Sequence, residues 1–405
     1  MATRRGIPPR GTPFEVVRTL LEEGGMHRAE LARHLQTSRP TITNTVTTLL
    51  DQGMLEPESL TGETAAGEGK APLKEKLVLA RRAGIIGAAI HQDDSTIVGL
   101  GEVDGRVIST RSLPCSSDAT GPERISSALT ALRELLAELP APHPQLHGVH
   151  VAPNTLVNRY TGEVLGGATS TRWSKVNIRD EYEEGLGTAV VLENLARHAA
   201  YAQYGALEGP PPRNLLHVSL SFGVALGQVF DGRIISGAHG GAGELGHVSI
   251  DSNGPICRCS HRGCLFNYAG AENVLEESRI VTGTALSLDE AIDLALAGDD
   301  RLVSIFSRAG AAVGMALNSV CNLMDPDLIL IGGRLSRAGD VVLDPLRDAL
   351  FRNALPLFGR DLRIEPAATL TDQALVHASL RALRLDVDLA AAVLAAHDPA
   401  TVAAS

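Results

Sequence analysis

Three of the chain's five cysteines, Cys257, Cys259 and Cys264, fall within eight residues of the stretch GHVSIDSNGPICRCSHRGC. No other feature narrows the possible folds so far, because thiols this close are bonded, oxidised or bound to something. A stable disulfide needs an oxidising compartment. The N-terminus, MATRRGIPPRGTPF, has arginines but no apolar segment of a secretory leader, so the expected location is the cytoplasm. A redox centre needs a Cys-x-x-Cys pair or a single poised thiol, and the spacing offers neither. Three thiolates and one imidazole complete a tetrahedral shell with no open position, which is the arrangement of a structural zinc site. The imidazole can come from His247, folded back by the DSNGP turn, or from His261 inside the cluster. Cys115 and Cys321 lie in unrelated segments and read as small hydrophobes.

The chain has 405 residues, too many for one core, so two or three domains are expected. Charged residues make up 20% and apolar residues 44%, as in soluble globular proteins. No apolar run reaches the roughly 18 residues that would cross a bilayer, so no membrane partner is expected. The net charge of −11 argues against a protein coated in nucleic acid. Residues 1–56 nevertheless hold seven arginines against six acids, so the acidity lies downstream and a small DNA-binding module is compatible with it.

The first eighty residues read as such a module. PFEVVRTLLEEGG places Val16, Val17, Leu20 and Leu21 on one helical face and ends at Gly24-Gly25. HRAELARHL is a short helix with Ala29, Leu31, Ala32 and Leu35 available for a core. After the tight QTS connection, Ser38 is a good N-cap for RPTITNTVTTLLDQG, with Pro40 tolerated in its first turn. That helix buries Ile42, Val46, Leu49 and Leu50 and turns Arg39, Thr41, Thr43, Asn44 and Thr47 outward. Two short helices, the second small and polar outside, fit a helix-turn-helix whose recognition helix enters the major groove of double-stranded DNA. The alternative is a three-helix bundle that binds protein. The following MLEPESLTGETAAGEGKAPLKEKLVLA reads as a two-stranded wing, with Lys70, Lys74 and Lys76 near phosphates, or equally as a solvated linker holding Glu63, Glu68 and Glu75.

From Gly84 the pattern changes. GIIGAAI, TIVGLGEV and RVISTRSL read as three strands with a turn at Asp104-Gly105. A helix follows over about 122–139, then strands at LHGVHVA and AVVLEN and the helix LARHAAYAQYGA. NLLHVSLSFGVALGQVFDGRIISG reads as two strands with a hairpin turn at Asp231-Gly232. Helices are expected near 271–282, 288–297 and 301–323, a strand at DLILIGG, and further helix to the end. Strands alternating with helices and opening on a meander predict a two-lobed α/β body.

GAGELGHVSIDSNGPICRCSHRGC resembles the signature of the ROK family, which groups repressors with sugar kinases. FDGRIISGAHGGAGELGH and LILIGGRLS resemble its later body motifs, HRAELARHLQTSRPTITNTVTTLLDQGML the winged helix of its repressors, and GEGKAP their basic wing. The resemblance covers nearly the whole chain. It implies a winged helix-turn-helix over 10–80 and a two-lobed actin-like ATPase-superfamily body, with one lobe over 81–195 and the other over 196–390. It puts the zinc ligands on His247, Cys257, Cys259 and Cys264. It implies a DNA operator as partner, and a homodimer or homotetramer, for which the 301–323 helix can supply an interface.

The chain departs from the kinase pattern at three places. The first phosphate turn reads IGAAIHQDDST, and the second, LSFGVALG, has Ser221-Phe222 where small residues would admit phosphate. In VLENLARHAA, Asn194 is kept but Leu195 stands where the family's catalytic aspartate falls, and leucine takes no proton from a sugar hydroxyl. The resemblance places sugar contacts on Asn194, the residue after it, Glu244, His247 and the residue two after the last cysteine. Leu195 and Phe266 replace both expected acids, and Asn154 stands where the family has glycine. The expectation is a transcriptional regulator, a repressor of carbohydrate genes, with no kinase activity and an altered effector pocket formed by Asn154, Asn194, Glu244 and His247.

Overall fold

The structure is a computed structural model that describes residues 11–58, 75–116, 118–141, 143–165, 172–174, 176–355 and 361–397. The chain divides into two compact units. The first comprises residues 1–152, 177–192 and 375–405, and the second 153–176 and 193–374. Both units are threaded from separate stretches, which differs from lobes drawn as consecutive segments.

The first unit opens with three helices: α1 (Thr12–Glu23), α2 (Arg28–His34) and α3 (Arg39–Asp51). Val16, Val17, Leu20 and Leu21 of α1 are buried, as are Leu31 and Ala32 of α2 and Ile42, Val46 and Leu49 of α3. Ala29, expected in this core, is exposed. Gln36 takes a positive φ of 49° in the turn between α2 and α3. Ser38 caps α3, its hydroxyl accepting from the Thr41 amide at 3.3 Å. Strands β1 (Leu55–Pro57) and β2 (Leu77–Leu79) pair antiparallel, with Leu55 opposite Leu79, and complete a winged helix-turn-helix. Lys70 and Lys74 lie outside the described residues. Lys76 turns its ammonium to Glu58 at 3.3 Å.

The rest of the first unit is built on β3 (Ile85–His91), β4 (Ser95–Glu102), β5 (Val107–Pro114), β6 (Leu146–Ala152) and β7 (Val190–Leu192), with α4 (Gly121–Ala137) and α5 (Ile178–Leu186). The sheet order is β5-β4-β3-β6-β7. The first three strands form an antiparallel meander, and β6 and β7 run parallel to β3. Helix α5 was not foreseen; Asn177 caps it and Tyr182 is its buried anchor.

The second unit repeats this plan. It contains α6 (Leu195–Ala206), β8 (Asn214–Leu220), β9 (Val224–Phe230), β10 (Arg233–Ile234), α7 (Phe266–Ala269), α8 (Ala271–Thr282), α9 (Leu288–Leu296), α10 (Asp300–Met324), β11 (Leu328–Gly332), α11 (Asp340–Asn353) and β12 (Arg363–Pro366). Its sheet order is β10-β9-β8-β11-β12, again an antiparallel meander followed by parallel strands. The 214–237 stretch therefore holds three strands rather than two: one turn falls at Ser221–Gly223, and the expected Asp231-Gly232 turn joins β9 to β10. Helix α10 has 25 residues and is apolar enough to cross a membrane by length and composition, although no continuous apolar run in the sequence announced it. Half of its apolar window is buried, and Ile305, Phe306, Val313 and Leu317 sit in the core of this unit.

The chain closes on α12 (Asp372–Arg384) and α13 (Val387–Ala396), and from Leu375 onward it belongs to the first unit. Helix α12 lies so close to β4 that a Cβ at Gly101 would stand 2.2 Å from Leu380. Helix α13 packs on α1, and the Arg384 guanidinium donates to the Leu20 carbonyl at 3.4 Å.

Candidate functional site

The cysteine loop hangs from the turn after β10. His247 ends a short 3-10 turn, Leu245–His247, and the chain returns antiparallel to itself through bridges Ser249 to Cys264 and Ile256 to Arg262. The Ile250 amide donates to the Gly263 carbonyl and the Leu265 amide to the Val248 carbonyl, both at 2.9 Å. Gly263 is required here: its φ is 64°, and a Cβ would fall 1.6 Å from the Asp251 carbonyl oxygen.

This closure brings one donor atom from each of His247, Cys257, Cys259 and Cys264 within 4.8 Å of the others. His247 Nδ1 lies 3.8 Å from Cys257 Sγ, and Cys259 Sγ lies 3.6 Å from Cys264 Sγ. A tetrahedral zinc ion with bonds of about 2.3 Å sets sulfur ligands roughly 3.8 Å apart, so the spacing fits a metal shell. The loop's other imidazole stands outside the group of four: His261 Nδ1 reaches only Cys259, at 3.6 Å. The protonation of the thiols agrees. Burial opposes ionisation of Cys259, but the His261 backbone and ring and the two neighbouring thiols outweigh it and bring it to about 6. Burial, with Cys259 and Cys257 beside it, pushes Cys264 up to about 12. Thiols this close do not all ionise together unless a cation joins them.

Phe266 covers this shell where the resemblance expects an acid. Its ring stacks on the His247 imidazole, centroids 6.5 Å apart and planes at 24°. It packs with buried Cys257 and Cys264, and the Arg258 guanidinium stands 3.9 Å from its centroid.

The other expected effector contacts are mostly engaged already. Asn194 caps α6: its Oδ1 accepts from the Ala196 amide at 2.8 Å and its Nδ2 donates to the Thr155 carbonyl at 2.9 Å. Asn154 Oδ1 accepts from the Trp173 indole at 2.8 Å. The Glu244 carboxylate has no hydrogen bond among the described residues, and burial raises its pKa against the lowering pull of Arg197 and His247. Glu244 borders a cavity of about 190 Å³ walled by Leu226, Ile235, Leu245, Val248, Val320 and Met324. Glu244 and Gln228 are its polar members, and Asn154, Asn194 and His247 are not in its wall.

A polar cluster that sequence reasoning missed runs beside Asn194. Buried Glu193 accepts from Arg197 Nε, from the Ser236 hydroxyl and from the Asn194 amide. Arg197, 1% exposed, also donates to the carbonyls of Gly240 and Ala242. Arg159 donates to Ser236 Oγ at 2.9 Å. The Glu193–Arg197 spacing of four residues at a helix start was the legible hint. What the sequence does not disclose is that the guanidinium reaches on to hold the GAHGGAGELGH loop.

An arginine engages each turn of the kinase pattern. At Ser221–Gly223 the Arg334 amide donates to Ser221 Oγ at 3.2 Å, and the Arg334 guanidinium lies 5.8 Å from the Phe222 ring centroid. At the β3–β4 turn, the buried Arg124 guanidinium gathers the carbonyls of Gln92, Asp93, Ser116 and Ala119.

On the head, Arg39, Thr41, Thr43, Asn44, Thr47 and Thr48 are exposed along α3. The ROK family profile matches residues 94–382, well over half the chain. This chain belongs to the ROK family. The MarR family profile matches residues 12–61, the three-helix head. Among relatives, the chain is 24% identical over 357 residues to the xylose repressor of Bacillus spizizenii, covering 87% of this chain and 90% of that protein. It is 30% identical over 216 residues to a glucokinase of Thermotoga maritima, covering 50% of this chain and 68% of the kinase. A solved ROK family transcriptional regulator, described as a homolog of the E. coli MLC protein, superposes with a TM-score of 0.74 at 21% identity. It covers 95% of this chain and 98% of its own, so the winged head and the ROK body occur together in that fold.

Proposed function

We propose that this ROK chain is a DNA-binding transcriptional repressor of carbohydrate transport or catabolism genes, without kinase chemistry. One observation carries the reading: a winged helix-turn-helix is joined to a ROK body in which the residue after Asn194 is Leu195. The aliphatic side chain has no proton acceptor, and both turns that would hold phosphate are tied by Arg334 and Arg124. Operator DNA is contacted by Arg39, Thr41, Thr43, Asn44 and Thr47 in the major groove and by Lys70 of the wing. A palindromic or repeated site calls for a dimer or tetramer. The protein acts in the cytoplasm.

His247, Cys257, Cys259 and Cys264 would hold a structural zinc ion. When bound, it supplies a closed tetrahedral cross-link that joins the turn after β10 to the start of α7. His247, which turns Nδ1 towards Cys257 Sγ, would be held in orientation by such an ion. The effector is a sugar or sugar derivative that meets Glu244 and His247. Asn154 and Asn194 would add only the hydrogen-bonding capacity that their bonds to Trp173, Thr155 and Ala196 leave.

The test is selection of bound fragments from sheared genomic DNA with the full chain, followed by titration of the selected site against sugars and sugar phosphates by fluorescence anisotropy. A site near carbohydrate genes, released by one compound, supports the reading; absence of any selected site removes it. The glucokinase relative makes a kinase the competing reading. Sugar-dependent ADP release by the purified chain above an Asn194→Ala control would establish it.

A further inference from the structure

The outer face of α3 is unusually rich in threonine for a helix that must read bases, and the structure shows where the hydroxyl groups point. Thr43 Oγ1 donates to the Arg39 carbonyl at 2.9 Å, Thr47 Oγ1 to the Thr43 carbonyl at 2.9 Å and Thr48 Oγ1 to the Asn44 carbonyl at 3.1 Å. Thr41 Oγ1 shares a proton with the capping Ser38 hydroxyl at 2.7 Å. Each hydroxyl folded back on its own helix leaves its γ-methyl as the group directed outward. Arg39 and Asn44 differ: their side-chain donors have no partner among the described residues.

We infer that this face reads thymine methyl groups through Thr43 and Thr47, and that its hydrogen-bond readout is confined to two purines, a guanine met by Arg39 and an adenine met by Asn44. The inference rests on the DNA-binding reading above and specifies it. Arg39, Thr43 and Thr47 recur at every fourth residue and so form one line along the helix, stepping about 6 Å each time. Asn44 and Thr48 form the adjacent line. Among the four bases only thymine presents a methyl group to the major groove, while guanine offers O6 and N7 to a guanidinium and adenine N6 and N7 to a carboxamide. The competing assignment, threonine hydroxyls donating to phosphate oxygens, requires each to break its bond to the helix first. That step costs about 1 kcal/mol per hydroxyl, and the methyl contact does not incur it.

The preferred operator half-site is therefore a guanine and an adenine next to thymines, and its recognition depends on the thymine 5-methyl. The test takes duplexes selected from a random double-stranded library by the full chain and replaces single thymidines with deoxyuridine, which removes only that methyl. Binding is expected to weaken about fourfold at each contacted thymine. Thr43→Ser keeps the hydroxyl and its helix bond but loses the methyl. It should bind the thymidine and deoxyuridine duplexes equally at the one thymine that Thr43 meets, while the thymine met by Thr47 keeps its preference. Thr43→Val keeps the methyl and loses the hydroxyl, and should retain wild-type affinity and the preference for thymidine. Thermal melting confirms that both variants are folded. Deoxyuridine duplexes that bind as well as the parent overturn the inference, as does affinity kept by Thr43→Ser and lost by Thr43→Val, and in both cases the DNA-binding reading survives. A library that yields no selected duplex overturns both.

Discussion

The cysteine loop and the turn at the start of α6 are made of similar polar material and treat it in opposite ways. In the loop, four donors from His247, Cys257, Cys259 and Cys264 converge within 4.8 Å of one another, partnered by long sulfur contacts of 3.6–3.8 Å. At the turn, Glu193, Asn194, Arg197 and Ser236 converge as closely but satisfy one another and the backbone. On the zinc reading, the first arrangement is completed by an ion from outside. The second has supplied its own counter-charge, in the region where the family resemblance places sugar contacts. Convergence of polar side chains is thus not enough to mark a binding site; what separates the two regions is whether the donors are already satisfied.

The largest effect should come from the loop. Chelation of the metal, or Cys257→Ser, is expected to destabilise the second unit by more than about 4 kcal/mol, the scale of losing a structural metal. One zinc per chain should be released to a colorimetric indicator on thiol modification. A melting curve indifferent to chelator would break the contrast, because the loop would then be self-sufficient like the turn.

Next in size is the turn. Arg197→Ala leaves the Glu193 carboxylate buried without its counter-charge, a loss of about 3–5 kcal/mol. Replacing both partners, Glu193→Gln with Arg197→Met, should cost much less than the sum of the single changes, as read from urea denaturation in a double-mutant cycle. Additive losses would show that the pair is not a closed unit and that the pocket is held by something else.

How much of this was legible divides along the same line. The winged head, the first meander, two strands of the second and the helices near 271–323 follow from periodicity and turn residues, because each is a local pattern with one buried face. The convergence of His247 with the three cysteines was legible because their spacing is short and their chemistry narrow. The short helix α5 and strand β12 escaped, having few residues and no strong alternation. The Arg197 reach to Gly240 and Ala242 escaped for a different reason: its partners are backbone carbonyls more than forty residues away, and a carbonyl leaves no mark in a sequence. Asn194 was visible in the sequence as a ligand contact, and the geometry shows it used as a cap.

The histidines extend the contrast and give it a pH dependence. His247 directs a nitrogen at thiols, whereas His91 is sealed in the first unit, its Nδ1 3.0 Å from Thr96 Oγ1 and its Nε2 2.8 Å from Tyr182 Oη. Burial, with the Arg124 charge, lowers the His91 pKa to about 3, and burial lowers that of His217 to about 4. Both stay neutral in the folded chain while the unfolded chain takes up protons near 6.5. Their contribution is therefore complete above pH 6.5 and is lost as pH falls towards 4. The loss is about 1.4 kcal/mol per pH unit for each histidine at most. His91→Gln should flatten the slope between pH 6 and 5 by nearly that amount in urea titrations; an unchanged slope would mean that His91 protonates without unfolding.

The smallest effect is the most discriminating. Asn194→Ala removes the α6 cap and should cost about 1 kcal/mol, whereas Asn194→Ser keeps an acceptor for the Ala196 amide and should recover most of it. Stability alone does not say whether Asn194 also serves a ligand, so the second readout is release of the operator duplex by the effector found in the sugar panel. If the turn is closed on itself, Asn194→Ser releases DNA at the wild-type effector concentration. In the same assay Glu244→Gln, which alters a carboxylate with no internal hydrogen bond, requires about tenfold more effector, the scale of one charged hydrogen bond. If Asn194→Ser loses release while keeping its melting temperature, the turn opens to admit the ligand. The Glu193–Arg197 pair is then the catch that the effector undoes, and the two regions differ in timing rather than in kind.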